Sequence, residues 1–68
     1  RLDQMKRIFE KSIVAAFDIK SGTTITKGHL AFKKPGNGIN AKNYNEIVGK
    51  QLNIDIKKDE QFNYEMFK

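Results

Sequence analysis

The chain has 68 residues, no cysteine, one histidine and a formal net charge of +5. That length allows one domain around one small core, which leaves no room for a buried multi-step catalytic cleft. Disulfides, thiolate metal sites and a histidine metal cluster are excluded by composition, and no apolar run of membrane-spanning length or signal-peptide pattern occurs, so a soluble, cytoplasmic chain without membrane contact is expected.

The first residue is Arg1 and not methionine, and a piece of a longer polypeptide is therefore expected. The positive balance favours anionic partners such as phosphates, carboxylates or nucleic acid. The lysines are nevertheless spread along the chain and interleaved with acids, which is the pattern of a solvated surface.

In chain order, "RLDQMKRIFEK" places Leu2, Met5, Ile8 and Phe9 on one helical face, and residues 1 to 11 are expected to be a helical linker. The segment is too short to hold a helix alone in water. "SIVAAFDI" is a compact apolar run with β-branched residues, expected as a buried strand. Gly22 turns the chain after it. Asn40 is expected to cap a short helix with Tyr44, Ile47 and Val48 on its inner side, closed by Gly49, and "KQLNIDI" is expected as a further strand.

An internal echo organises this list. "DIKSGTTITKGHL" from Asp18 aligns with "DIKKDEQFNYEMF" from Asp55, 37 positions on. Each copy reads as strand, polar turn, apolar residue (Ile25, Phe62), N-cap (Thr26, Asn63) and one helical turn ending on an apolar residue (Leu30, Phe67). The expected fold is mostly β with short helical turns and an internal pseudo-twofold repeat. Its core is expected from Ile13, Ile19, Ile25, Leu30, Val48, Leu52, Ile56, Phe62 and Met66.

The stretch "FKKPGNGINA" is the chemically pointed one. Gly36, Asn37, Gly38, Ile39, Asn40 and Ala41 formally fit Gly-x-Gly-x-x-Ala, but a dinucleotide fingerprint needs a βαβ unit and a longer helix than fits here. No lysine stands where a phosphate-cradling loop needs one. As a turn, Pro35 fixes one backbone angle and the glycines take conformations closed to other residues. As a rigid finger, the same loop would hold Lys33 or Lys34 toward a substrate. His29 has no carboxylate or nucleophile beside it in sequence and reads as a packed or exposed imidazole. Asp59-Glu60 reads as turn chemistry. The aromatics Phe17, Phe32, Tyr44, Phe62, Tyr64 and Phe67 are spaced as core or edge residues and not as a base-stacking stripe.

Taken together, "KSIVAAFDIKSGTTIT", "LAFKKPGNGI" and "IVGKQLNIDIKKDE" resemble the C-terminal antifreeze-like (SAF) domain of sialic acid synthases, the N-acetylneuraminate synthase family, across residues 12 to 67. The resemblance implies the compact β-clip fold, with residues 12 to 68 as the domain and residues 1 to 11 as the linker from an upstream barrel. It implies that the whole enzyme is a transferase of carbohydrate biosynthesis that condenses phosphoenolpyruvate with N-acetylmannosamine or a related amino sugar. The divalent metal (Mn or Mg) would be held in that barrel, so this fragment alone carries no catalytic residue.

The resemblance further implies a domain-swapped homodimer in which this domain covers the barrel of the partner subunit and a basic loop residue reaches the sugar's acyl group. The matching position is Lys34, where the family usually has arginine. Lysine keeps the charge and loses the forked donor geometry. Lys33, Pro35, Gly36, Asn37, Gly38 and Ile39 would shape the cap. The fold family also contains the fish type III antifreeze proteins, but Asp18, Lys27 and His29 on the matching face argue against ice binding. The alternative from another class is a freestanding basic module for anionic polysaccharide or nucleic acid, which predicts a steep salt dependence of binding.

Overall fold

The computed structural model describes residues 10–34 and 38–68. The helical linker expected over residues 1 to 11 lies outside the described residues except for Glu10 and Lys11, and so does the loop centre Pro35-Gly36-Asn37.

β1 (Ser12–Ala15) is buried at all four positions. Ile13 and Val14 are β-branched and suit an extended backbone packed on both sides. β2 (Leu30–Lys33) pairs with it antiparallel, with Ser12 opposite Lys33 and Ala15 opposite Leu30. The strand expected over "SIVAAFDI" thus ends at Ala15. The chain bends at Ala16 and Phe17, where the Ala16 amide donates to the His29 carbonyl at 2.9 Å. Phe17 stays half exposed, with its ring 5.6 Å from that of His29.

The strand expected over "KQLNIDI" is reduced to bridges. Gln51 pairs with Thr24, Leu52 with Phe67 and Ile56 with Ile19. Asn53 breaks the run: its backbone amide donates to the Met66 carbonyl at 2.7 Å, and its side-chain amide reaches the Glu65 carbonyl at 3.2 Å. An asparagine that finds carbonyl partners in a bend has little reason to stay extended.

The expected short helix is a 3₁₀ helix, Ala41–Glu46, whose N-cap Asn40 accepts from the Lys42 amide at 3.0 Å. Non-helical angles at Asn43 interrupt it. Gly49, at φ +92°, turns the chain out of the segment, a conformation open to glycine at little cost.

The core is one cluster of Ile13, Ala15, Ile19, Ile25, Ile39, Ile47, Leu52, Ile56, Phe62, Met66 and Phe67, with Leu30 and Tyr44 packed against it. Ile39, Ile47 and Phe67 join the expected set. Leu30 and Val48 are only half-buried. Phe62 is fully buried, and its ring stacks on that of Phe67 at 5.9 Å.

Hydrogen bonds join the two aligned stretches of the sequence. Ile19 and Ile56 exchange both backbone bonds, at 2.8 and 2.9 Å. The Asp55 carboxylate accepts from the Ser21 amide, and the Asp18 carboxylate accepts from the Lys58 amide, each at 2.8 Å. Gly22 donates to the Leu52 carbonyl and Asp59 to the Ala15 carbonyl, again at 2.8 Å. Both of these turn residues have positive φ, +89° and +69°.

The 3₁₀ turns Lys27–His29 and Tyr64–Met66 follow at matching places. Asn63 caps the second by accepting from the Glu65 amide. At the first, the His29 ring does part of the capping, its Nδ1 accepting from the Thr26 amide at 2.9 Å, so the neutral imidazole carries its proton on Nε2.

Each aspartate of the echo therefore holds the turn of the other copy. A charge-assisted hydrogen bond contributes ~1.5–3 kcal/mol when shielded and less in water, so Asp18→Ala and Asp55→Ala are each expected to cost about 1 kcal/mol. Urea unfolding of both variants checks this, with similar losses expected from the two because their contacts match.

Candidate functional site

The two edges of β1 carry different partners, and that difference places the basic loop. On one edge β2 pairs with β1 and ends at Lys33, opposite Ser12. On the other edge the Ile13 amide donates to the Ile39 carbonyl and the Ala41 amide donates to the Lys11 carbonyl, both at 2.9 Å. Asn40 bridges to the same Ser12. Both described stems of the basic loop, ending at Lys34 and resuming at Gly38, are therefore tied to the N-terminal end of β1, one on each edge.

Of the residues expected to form the cap, Lys33 and Lys34 are exposed at the β2 stem and Gly38 is exposed at the other. Pro35, Gly36 and Asn37 lie outside the described residues. Ile39 is buried in the core, where it anchors the returning stem. Gly38 sits tightly against Gln61, since a Cβ there would lie 2.8 Å from the Gln61 side-chain oxygen. The Lys33 ammonium is 2.5 Å from an Asp59 carboxylate oxygen, with both side chains about half exposed.

Lys33 shares a sheet face with Ser12 and Val14 by register. Ser12 and Val14 are almost completely buried, yet neither belongs to the core cluster. They lie on the side where the Lys33 stem reaches across to Asp59. The Ser12 hydroxyl donates to the Lys33 carbonyl at 3.3 Å, a further tie at the point where the loop begins.

A cleft of about 300 Å³ is lined by Asp18, Ile19, Lys20, Asp55, Ile56 and Lys57. Its two carboxylates are already taken up by the Lys58 and Ser21 amides, which makes it part of the scaffold. Among the described residues no three His, Cys, Asp or Glu side chains come together to hold a metal ion. Among the same residues no helix is long and apolar enough to cross a membrane. His29 is half-buried against Phe17 and Thr26, in keeping with a packed imidazole.

Asp59 and Gln61 were not singled out from sequence as part of this site. They lie 26 and 23 positions from Lys33 and Gly38, and no local pattern announces a contact across that separation.

A two-stranded sheet extended by isolated bridges and short 3₁₀ turns, with the stems of a basic loop at one strand end, defines a small β domain. The SAF domain family profile matches residues 10–68, and the chain belongs to that family. It is 45% identical over 53 residues to N,N'-diacetyllegionaminic acid synthase from Campylobacter jejuni subsp. jejuni serotype O:2, a match covering 78% of this chain and 16% of the relative. It is 35% identical over 51 residues to pseudaminic acid synthase from the same organism, covering 75% of this chain and 15% of the relative. Both relatives are members of the sialic acid synthase family. The chain spans about a sixth of the length of the curated relatives it matches.

Proposed function

We propose that this chain is the substrate-capping domain of a sialic-acid-type synthase and that Lys34 is its contact with the sugar. The observation that carries the reading is the pair of loop stems tied to the two edges of β1 at its N-terminal end, with Lys34 as the first residue beyond the sheet. A tether at both ends limits where a charged side chain can go, and positional restraint is what a capping residue needs. In this reading the SAF domain sits at residues 12 to 68, follows a barrel through a helical linker, and covers the barrel of the partner subunit in a domain-swapped homodimer in the cytoplasm. The barrel supplies the divalent metal and the condensation of phosphoenolpyruvate with the amino sugar. The names of the two relatives favour a product of the legionaminic or pseudaminic acid kind.

The Lys34 ammonium donates to the sugar's acyl oxygen as a point charge. Pro35, Gly36, Asn37 and Gly38 shape the rim, and Ile39 fixes the stem from below. We also read the two echoed halves as related by a pseudo-twofold axis at the Ile19–Ile56 pair, which the matched hydrogen bonds support.

The test is steady-state kinetics of the full-length polypeptide with phosphoenolpyruvate and N-acetylmannosamine, then a diacetamido sugar. Losing one partly solvated, charge-assisted contact is worth about 1.4 kcal/mol, so Lys34→Ala is expected to raise the sugar KM about tenfold with kcat within about twofold. Lys34→Arg should keep the low KM. An unchanged sugar KM in Lys34→Ala removes Lys34 from the mechanism.

A further inference from the structure

The segment 59–61 touches both stems of the basic loop. Asp59 takes the Lys33 ammonium at 2.5 Å on the outgoing side, and Gln61 packs against Gly38 on the returning side. The geometry points to Asp59 as a positioning residue: its ion pair with Lys33 fixes the point from which Lys34 enters the loop. This rests on the capping role given to Lys34 above.

Three observations carry the inference. Lys33 is the last paired residue of β2, so whatever holds its side chain also holds the peptide from which Lys34 departs. Asp59 occupies a positive-φ position, +69°, whose counterpart in the other copy of the echo is Gly22 at +89°. Aspartate is one of the few side chains that enter this region, and here its carboxylate is the group that meets Lys33. Finally, the backbone of Asp59 is itself tied, its amide donating to the carbonyl of Ala15, the last residue of β1, at 2.8 Å. The carboxylate is thus a rigid post, and Lys33 is the longer, flexible partner that leans on it.

The environment of Asp59 supplies a clean readout. The hydrogen bond from Lys33 holds its carboxyl below the ordinary value of 3.8 and outweighs the opposing desolvation, while the charges of Lys33 and then Lys58 add lesser effects in the same lowering direction. Lys33 and Lys58 are the charged groups facing it. Glu60 is next in the chain, with its carboxylate turned to the Lys57 amide. Because the folded value is depressed, the stabilisation from this pair is present above 3.8 and is lost as pH falls through the lower folded value.

The experiment is a pH titration of the 68-residue chain by amide and carboxyl NMR, with Asp59→Asn, Lys33→Met and Lys33→Arg beside it. Asparagine tolerates positive φ, so Asp59→Asn removes the charge without forcing the turn to change. In the wild type the Lys34 and Gly38 amides are expected to shift with the Asp59 carboxyl at a shared midpoint below the ordinary value. Asp59→Asn should abolish that shift and lower the heteronuclear NOE at Lys34, leaving the Ile19 and Leu52 amides in place. Lys33→Met should match it, and Lys33→Arg should retain the order. A Lys34 amide blind to the Asp59 titration, or equally ordered in Asp59→Asn, overturns the inference and leaves the kinetic role of Lys34 standing. Failure of Lys34→Ala to move the sugar KM would instead sink the capping reading while the NMR coupling survived.

Discussion

Phe62→Ala is expected to leave the chain mostly unfolded in water at 25 °C. Phe62 is fully buried at the centre of the core and stacks on Phe67, and truncating such a residue costs ~3–5 kcal/mol. A single core in a chain of this size rarely supplies more than ~3–5 kcal/mol in total. The damage also spreads through the backbone, because the Phe62 amide donates to the Ile13 carbonyl and so links the second copy of the echo to β1. Phe32→Ala is the matched control: Phe32 is 42% exposed on β2, and its loss is expected to stay within about 1 kcal/mol. Circular dichroism through a urea titration separates the two variants. A cooperative, near-wild-type transition in Phe62→Ala would mean that the core lies elsewhere.

The second large effect is expected at the junction of the echoed copies. Ile56 is buried and exchanges two backbone bonds with Ile19, so Ile56→Ala leaves a cavity at the contact between them and costs ~2–5 kcal/mol. Ile54, two positions earlier and 45% exposed, should lose less than about 0.5 kcal/mol on the same substitution. The pair is informative because a continuous strand over "KQLNIDI" would put residues 54 and 56 on one face, where both side chains would meet similar surroundings. Equal losses in urea unfolding would restore that strand and remove the bend at Asn53.

How much of this was legible depends on how local each signal was. The caps at Asn40 and Asn63 are legible from short spacings, and the structure places them as expected because a cap needs only its next two or three residues. The family was legible from three stretches in the right order. Contacts between distant segments were not. Nothing in "LAFK" says that it pairs with "SIVA", since both are short and apolar and the pairing is settled by Lys33 meeting Ser12 across 21 positions.

Ile39 reads from the family resemblance as one of the residues that shape the cap, and its side chain is buried in the core. Its carbonyl accepts from the Ile13 amide, a contact across 26 positions that no spacing rule encodes. Asp59 was read as turn chemistry, which its positive φ bears out, while its pairing with Lys33 is a tertiary event.

The measurement that tests the central claim most directly is the size of the native polypeptide in its source cell, found with an antibody raised against residues 10 to 68. A capping domain needs a barrel to cap, and a barrel takes roughly 250 residues. The account predicts a band of more than about 300 residues whose extract condenses phosphoenolpyruvate with an amino sugar. A native chain close to 68 residues with no such activity would contradict it.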